Sequence, residues 1–183
     1  MENSQHGDDP SQQRHTSGGH WLDLRFPTTG WVCRGIEDAG NEGRLCDVCQ
    51  GVRIRFAHIL SHPDVPQALS AGLGCAEKLV DDPFRAEKRE RAFRDDLRIR
   101  NDWPRRDWKI SRVGNPFINA RGYNIAIWNK GGSGFGVTIR LQNKFDGEFV
   151  RNDPRLFKTV DDAKVGALEI LMDVRKERRD IDV

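Results

Sequence analysis

Four cysteines constrain the fold of this 183-residue chain more than any other feature of its sequence. They follow the pattern Cys33-x12-Cys46-x2-Cys49-x25-Cys75, and the chain has no others. Cys46 and Cys49 form a short knuckle whose thiolates can reach one metal ion, and Cys75 opens a helix after a glycine-bounded turn. The free N–H groups and dipole of a first helical turn favour a thiolate there. The pattern predicts a tetrahedral, structural zinc site without an open position for catalysis.

The predicted ligand set leaves its fourth member open. The ligands are the four cysteines, with two histidines as alternatives for the fourth position: Cys33, Cys46, Cys49 and Cys75, with His58 or His62. Cys33 is favoured as the fourth ligand because it is the only remaining cysteine. A second interpretation, in which the thiols are buried or redox groups, stays open because free cysteine is common in protein cores. A thioredoxin-type pair is disfavoured, since a strand rather than a helix follows Cys49.

Composition favours two small cores over one large core. Hydrophobic residues make up 37% of the chain and charged residues 32%, which leaves little apolar material for one large core. The net charge of +2 does not require a nucleic-acid partner. There is no apolar stretch of membrane-spanning length and no signal-peptide pattern, which predicts a cytoplasmic, reducing location and no membrane partner. In that location a CxxC pair is more often a metal-ligand pair than a structural disulfide.

The pattern along the chain predicts four segments. They are a disordered tail at residues 1–19, a zinc-binding module at 20–82, a charged helical connector at 83–107 and an antiparallel sheet plus helix module at 108–183. The zinc module includes a predicted strand at residues 52–60 and a short helix that Cys75 opens. The connector is a helix at residues 84–100, with Asp82 as its N-cap and Pro83 in its first turn.

The last module is predicted to be a sheet covered by a helix. Strands are predicted at residues 108–113, 122–128, 135–141 and 148–151. A helix with a capping box at Thr159 runs to about Glu177. Its apolar face comprises Ala163, Ala167, Ile170, Leu171 and Val174. The predicted class is α+β: a small zinc-stapled, treble-clef-like module, then a three- to four-stranded antiparallel sheet under a C-terminal helix.

The cysteine module resembles two groups of zinc proteins. Its knuckle, hairpin and ligating helix start resemble treble-clef folds, although only one ligand lies at the helix start. It also resembles an uncharacterised type of bacterial zinc-module protein, through Cys46, Cys49, Ile54-Arg55, His58, His62-Pro63 and Gly74-Cys75-Ala76. These resemblances imply a structural zinc fold and no particular activity. Some treble-clef proteins are HNH-type metal nucleases, and His58 stands where those have a general base. The helix after Cys75 lacks the Asn or His that binds the catalytic metal in those nucleases, so the nuclease hypothesis is the least favoured.

Charge and topology in the rest of the chain point to nucleic acid. From Arg85 to Arg112 there are eleven basic and six acidic residues. The helix–strands–helix order resembles a double-stranded-RNA-binding domain, but Asp161 and Asp162 lie where that family has phosphate-binding lysines. The sheet also resembles AP2-type DNA-reading sheets, whose exposed face carries arginines and aromatic residues. The corresponding candidate contacts are Arg112, Arg121, Tyr123, Trp128 and Arg140.

The resulting expectation is a non-enzymatic, zinc-containing protein that binds nucleic acid or has a regulatory role. The alternative is a zinc-stabilised adaptor for protein–protein interaction, in which the metal only supports a surface. Salt dependence separates the two hypotheses, because phosphate binding weakens steeply as salt increases. The sequence assigns no catalytic residue and leaves the choice among DNA, RNA and a protein partner open.

Overall fold

The computed structural model describes residues 18–81, 83–142 and 149–181 of the chain. Two compact units are present, and the boundary between them falls after Arg94, within a long helix. It therefore lies twelve residues beyond the predicted end of the zinc module at residue 82, since the helix residues Ala86 and Glu90 are buried in the first unit. Most of the predicted tail, the N-cap Asp82 and the start of the strand predicted at 148–151 lie outside the described residues.

The first unit contains a three-stranded antiparallel sheet with strand order β1-β4-β5. Its elements are β1 (Val32–Asp38), β2 (Arg44–Leu45), β3 (Arg53–Ile54), β4 (Phe56–His62), β5 (Val65–Ala71), α1 (Leu73–Leu79) and the first part of α2 (Pro83–Asp102). The short strands β2 and β3 form a ladder of their own. The knuckle with Cys46 and Cys49 connects β2 to β3, and Cys75 lies in α1, directly after β5.

Two strands of this unit differ from the sequence prediction. The strand predicted at residues 52–60 is interrupted at Arg55, because β3 pairs with β2 whereas β4 pairs with β1 and β5. Sequence patterning does not predict β5, since Pro63 and Pro66 interrupt its apolar pattern. Pro66 is compatible with β5 because this is an edge strand, where a missing N–H leaves no central ladder bond unmade.

The second unit is built on a five-stranded antiparallel sheet with strand order β10-β9-β8-β7-β6. The strands are β6 (Lys109–Ile110), β7 (Pro116–Ala120), β8 (Tyr123–Asn129), β9 (Phe135–Leu141) and β10 (Phe149–Asn152). The predicted count of three to four strands is therefore too low. The strand predicted at residues 108–113 stops at Ile110, where the chain turns and the N–H of Gly114 donates to the Ser111 carbonyl oxygen. Sequence patterning misses β7, which begins with a proline.

A single helix, α3 (Val160–Ile181), packs on one face of this sheet. The predicted cap is confirmed, since the Asp162 backbone N–H donates to Thr159 Oγ1 at 3.1 Å. The predicted apolar face is confirmed as well, because all five of its residues are buried. It packs against inward-facing side chains of the sheet, which include Ile125, Ile127 and Ile139. The mixed helix-and-sheet class of the fold is confirmed, and the treble-clef assignment stays a prediction.

The helix α2 is mainly polar, as its sequence predicts. Ala86, Glu90 and Ile99 are buried, whereas Phe84 is 75% exposed, so α2 contributes only a narrow apolar side. Among the described residues, no helix is both long enough and apolar enough to cross a membrane.

We expect the α3–sheet core to determine the stability of the second unit. Replacing Leu171 with alanine removes a fully buried side chain and should cost about 2–5 kcal/mol. Val165→Ala is the matched control on the same helix, because Val165 is 64% exposed. Hydrogen–deuterium exchange of the β8 and β9 peptides is the measurement. Equal exchange in both variants would contradict this assignment of the core.

Candidate metal centre

Three of the four cysteines come together in the first unit. The Sγ atoms of Cys46, Cys49 and Cys75 lie within 4.8 Å of one another, and all three side chains are buried. Thiolates at these separations can coordinate a single ion from three directions. This cluster could therefore hold a metal ion, as the knuckle and helix start predict.

Backbone hydrogen bonds shape the knuckle. The Cys46 N–H donates to the Val52 carbonyl oxygen at 2.9 Å, and the Gln50 N–H donates to the Cys46 carbonyl oxygen at 2.8 Å. Gln50 adopts a left-handed φ of 54°, which closes the turn after Cys49. These bonds bring both knuckle thiols to the same side of the loop, facing the start of α1.

A second set of contacts fixes the knuckle to β5 and α1. Asp47 clamps Ser70, because its N–H donates to the Ser70 carbonyl oxygen at 2.8 Å and its Oδ2 accepts the Ser70 N–H at 2.7 Å. The Gly72 N–H donates to Cys46 Sγ at 3.5 Å. A Cβ atom at Gly72 would lie only 2.9 Å from Ile54 Cγ2, so glycine permits this close approach. The positions of Cys46 and Cys75 are therefore coupled through the backbone.

The surroundings of Cys46 favour the thiolate form of its side chain. A hydrogen bond from Cys75 lowers the pKa of Cys46 to about 5 against the opposing effect of burial, and the N–H groups of Cys49, Gly72 and Val48 lower it further. The same contact raises the pKa of Cys75 above its usual value. A metal ion bound to both sulfurs would favour the thiolate form of each, because metal ligation requires the deprotonated thiol.

A cavity adjoins the cysteine cluster. Besides the cysteines, its walls include Val52, Ile54, Leu73, Glu77 and Lys78. All three clustered cysteines line this cavity. Its interior leaves room for a fourth ligand to approach a metal ion that the thiolates hold.

The structure does not bring the predicted fourth ligands to this cluster. Cys33 lies on β1, with its Sγ 4.0 Å from His58 Nδ1, and the other ring nitrogen of His58 lies 2.9 Å from Glu90 Oε2. His62 packs against the Trp31 ring and accepts the Asp64 N–H at its Nδ1. Among the described residues, the cysteine group therefore contains three of the four predicted sulfur ligands.

A bulge in β1 explains the placement of Cys33. Cys33 pairs with Leu60, and Gly35 pairs with Ile59, so one extra residue, Arg34, is inserted between them. Ile36 then pairs with His58. Without the bulge, Cys33 and Ile36 would point to opposite faces of the sheet, because they are three residues apart. The inserted residue turns Cys33 onto the face that carries His58.

The candidate nucleic-acid contacts are distributed over several environments. Arg112 is exposed in the turn after β6, and Arg121 occupies the β7–β8 turn, where it pairs with Asp95 at 3.4 Å. Tyr123 is buried in the core beneath α3, so its prediction as an exposed sheet contact is wrong. The alternation along β8 turns Tyr123 inward, whereas Trp128 and Arg140 point to the opposite face.

We call this opposite face of the five-stranded sheet the open face. The strand registers place two rows on it: Lys109, Phe117, Ala126, Thr138 and Asn152 in one, and Asn119, Asn124 and Arg140 in the other, with Trp128 and Gly136 beyond them. Lys109, Phe117 and Asn119 are absent from the sequence prediction. The sequence signal for Phe117 and Asn119 is the period-two pattern of β7, which can be used only once β7 is recognised as a strand, and Lys109 is placed by its pairing with Phe117.

Trp128 lies flat on the open face. A Cβ atom at Gly136 would lie 2.3 Å from Trp128 Cζ2, so the indole covers the backbone of β9 where glycine leaves space. The indole N–H donates to Thr138 Oγ1 at 3.0 Å, and Thr138 donates to Asn152 Oδ1 at 3.1 Å. These contacts fix the ring orientation, and Trp128 remains only half-buried.

Comparisons with known proteins leave the chain without a family assignment. No family model matches it, and no curated protein or solved structure shows significant similarity to it. The interpretation of function therefore rests on the cysteine cluster, the open face and the Cys33 environment.

We expect substitution of the clustered cysteines to release metal and to unfold the first unit. Cys46→Ser or Cys75→Ser removes a ligand, and the binding free energy of a structural metal contributes directly to folding. Cys33→Ser is the matched control and should retain metal, because Cys33 lies outside the group. Native mass spectrometry measures occupancy, and hydrogen exchange of β5 and α1 measures folding. Metal loss in Cys33→Ser, or full occupancy in the other two variants, would contradict the site.

Proposed function

We propose that the protein is a non-enzymatic, zinc-stapled protein that binds single-stranded nucleic acid on the open face of its second unit. In this proposal the metal has a structural role in the first unit, and any regulatory role follows from nucleic-acid binding. One observation carries the proposal: Trp128 is held flat on a sheet face that α3 does not cover, and the exposed cation Arg140 lies on the same face, four residues along β9 from Gly136, the partner of Trp128. Single strands bind to surfaces on which fixed aromatic rings stack against unpaired bases while cations along the same surface bind the phosphates.

Zinc is the metal that best suits the cysteine cluster. Thiolate ligands select soft or borderline ions, and zinc readily accepts three sulfurs with a fourth ligand in a tetrahedral shell. Three thiolates would donate so much negative charge that the ion would polarise a bound water only weakly, which favours a structural role. A reducing, cytoplasmic location would keep these thiols available for the metal.

The charge of the second unit supports a polyanionic ligand. Residues 95–183 contain eighteen Lys and Arg and fourteen Asp and Glu, an excess of four positive charges. On the open face, Lys109 and Arg140 are exposed, and neither has an ion-pair partner among the described residues. Arg112 also lacks such a partner within this part of the chain and lies exposed after β6. These cations can bind phosphates while the aromatic residues contact bases.

The shape of the open face favours single strands over duplexes. Trp128 and Phe117 present ring surfaces along a sheet, and a base must leave the double helix before it can stack on them. The amide side chains of Asn119 and Asn124, joined by a 2.8 Å hydrogen bond, offer donors and acceptors near Arg140. The face thus combines stacking, phosphate binding and polar contacts to base edges.

The structure gives no support to the nuclease hypothesis. His58 is fully buried and contacts Cys33 and Glu90, so a phosphodiester cannot reach its ring as the substrate of a general base would. Hydrolysis through His58 therefore forms no part of the proposal.

We expect Trp128→Ala to weaken binding to single-stranded oligonucleotides by about tenfold, since one base stack contributes about 1–3 kcal/mol. Trp128→Phe keeps an aromatic surface and should lose less. Arg140→Gln should weaken binding and reduce the salt slope by about one phosphate contact. Fluorescence anisotropy with single-stranded DNA, single-stranded RNA and duplex DNA over a salt series is the measurement.

Lys176→Gln is the matched control for Arg140→Gln. It removes the same charge from an exposed position on α3, on the other side of the sheet. Equal losses from Lys176→Gln and Arg140→Gln would show non-specific attraction and overturn the assignment of the open face. Absence of salt-sensitive binding to any oligonucleotide would favour the adaptor alternative.

We also expect Leu73→Cys to tighten zinc binding by about tenfold or more. Leu73 lines the cavity together with the three clustered cysteines, so a thiol there would lie on the side from which a fourth ligand reaches the ion. Competition with a chromogenic chelator measures the affinity. Leu73→Ser is the control for the loss of the leucine side chain. Equal affinities of the two variants would contradict the prediction that a sulfur at position 73 reaches the ion.

A further inference from the structure

A second cluster of reactive groups lies in the first unit, separate from the three clustered cysteines. Cys33 Sγ lies 4.0 Å from His58 Nδ1, and His58 Nε2 lies 2.9 Å from Glu90 Oε2. Arg94 forms an ion pair with the other oxygen of Glu90. A sulfur, an imidazole, a carboxylate and a guanidinium are thus connected in series, and each touches the next.

The two middle members of this chain of contacts are buried, whereas its two ends, Cys33 and Arg94, reach the surface. The His58 side chain is fully buried and that of Glu90 is 7% exposed, whereas Cys33 is half-buried. The buried partners fix the imidazole orientation, and water cannot compete for its nitrogens. The sulfur can meet a small solute from solution while a fixed proton donor stays behind it.

A β-bulge in β1 sets the register that brings Cys33 to His58. The bulge at Arg34 places Cys33 on the same sheet face as His58, and a regular strand would turn the sulfur away. Arg34 itself points elsewhere and donates to Ser61 Oγ at 2.7 Å. The bulge therefore has a direct chemical consequence, the contact between sulfur and imidazole.

The electrostatics favour a thiolate–imidazolium pair. Burial opposes ionisation of Cys33, but hydrogen bonds with His58 and with the Gly35 backbone hold the pKa of the thiol below its usual value. Burial likewise opposes protonation of His58, yet its bonds to Cys33 and Glu90 raise the pKa of the imidazole to about 9. The carboxyl pKa of Glu90 is lowered despite burial, through His58 and Arg94.

The charged groups that act on the sulfur lie on two elements. His58 comes from β4, and Arg89, Glu90 and Arg94 come from α2. The Arg89 charge favours the thiolate, and Glu90 acts on it through the imidazole. The sulfur also lies 3.4 Å from the Gly35 carbonyl oxygen, which would accept the proton of a neutral thiol.

We propose that Cys33 is an activated thiolate and that hydroperoxides oxidise it to a sulfenic acid, with His58 and Glu90 as its positioning residues. The thiolate attacks one peroxide oxygen, so that an S–O bond forms and the O–O bond breaks. Sulfur loses two electrons and the peroxide gains them. The departing hydroxide of hydrogen peroxide, or the alkoxide of an organic hydroperoxide, takes the proton of the His58 imidazolium and leaves as water or alcohol, while Glu90 stabilises the cationic imidazole until that transfer.

The test is the reactivity of Cys33 in the full-length, zinc-loaded protein, in which the other three thiols are occupied by metal. After brief exposure to hydrogen peroxide, a sulfenic-acid-selective dione traps the product, and mass spectrometry of the Cys33 peptide gives the rate. We expect a rate about tenfold above that of an ordinary thiol at neutral pH. Alkylation by iodoacetamide should accelerate from pH 6 to pH 8 by less than the roughly 75-fold expected of a thiol of pKa 8.5.

A matched thiol on the same strand provides the control. Val32→Cys in a Cys33→Ser background places a thiol at an exposed position that lies next to Cys33 but on the opposite sheet face from His58. This thiol is more accessible and lacks the imidazole, so it should react slowly and with an ordinary pH dependence. Equal rates for Cys33 and the control would overturn the proposal.

Two further variants separate activation from folding. His58→Asn should reduce the Cys33 rate to that of the control and restore the ordinary pH dependence. Because His58 is fully buried, Glu90→Gln is the second variant, which retains side-chain shape and removes only the charge. It should shift the alkylation profile to higher pH while hydrogen exchange of β4 stays unchanged. A Glu90→Gln profile identical to that of the unmodified protein would overturn the role of the chain of contacts.

Discussion

The antiparallel pairing of β4 with both β1 and β5 is the constraint on which the first unit depends. Pairing with β5 brings the following Gly72 and Cys75 to the knuckle, where the Asp47–Ser70 clamp completes the arrangement. Pairing with β1, through a bulge, brings Cys33 to His58. The central strand β4 therefore positions both groups of thiols, the cluster through its pairing with β5 and Cys33 through its pairing with β1. The clustered thiols are buried and directed toward a common centre, whereas the Cys33 thiol is single and partly accessible.

In the second unit, one face of the sheet packs in the core and the other is the face that we propose for nucleic-acid binding. The inward residues of β8 and β9 form a core with α3, and the alternate residues remain available on the open face. Because α3 covers one face only, substitutions at Trp128 or Arg140 should affect binding without removing core packing. This separation makes the open face experimentally tractable, since its variants can be compared at constant stability.

Local patterns predicted much of the fold, and long-range pairings account for most of the differences. The periodicity of α3, its Thr159 cap and the knuckle pair with Cys75 could be identified because each depends on neighbouring residues. The position of Cys33 could not be predicted, because the one residue inserted at the bulge turns the Cys33 side chain to the other face of the sheet. The edge strand β5 and the strand β7 were missed because prolines interrupt or begin them. Elimination by cysteine count is therefore weaker evidence for a ligand than spacing within one turn.

The glycine beneath the Trp128 ring has a consequence for how the surface can vary. A methyl group at Gly136 would occupy the space of the indole, so even alanine would tilt the ring away from the strand or break its bond to Thr138. The geometry of this aromatic surface thus depends on the missing side chain at Gly136 as much as on the Trp128 ring. A redesign that transfers this surface to another sheet must move the two positions as a pair, across neighbouring strands.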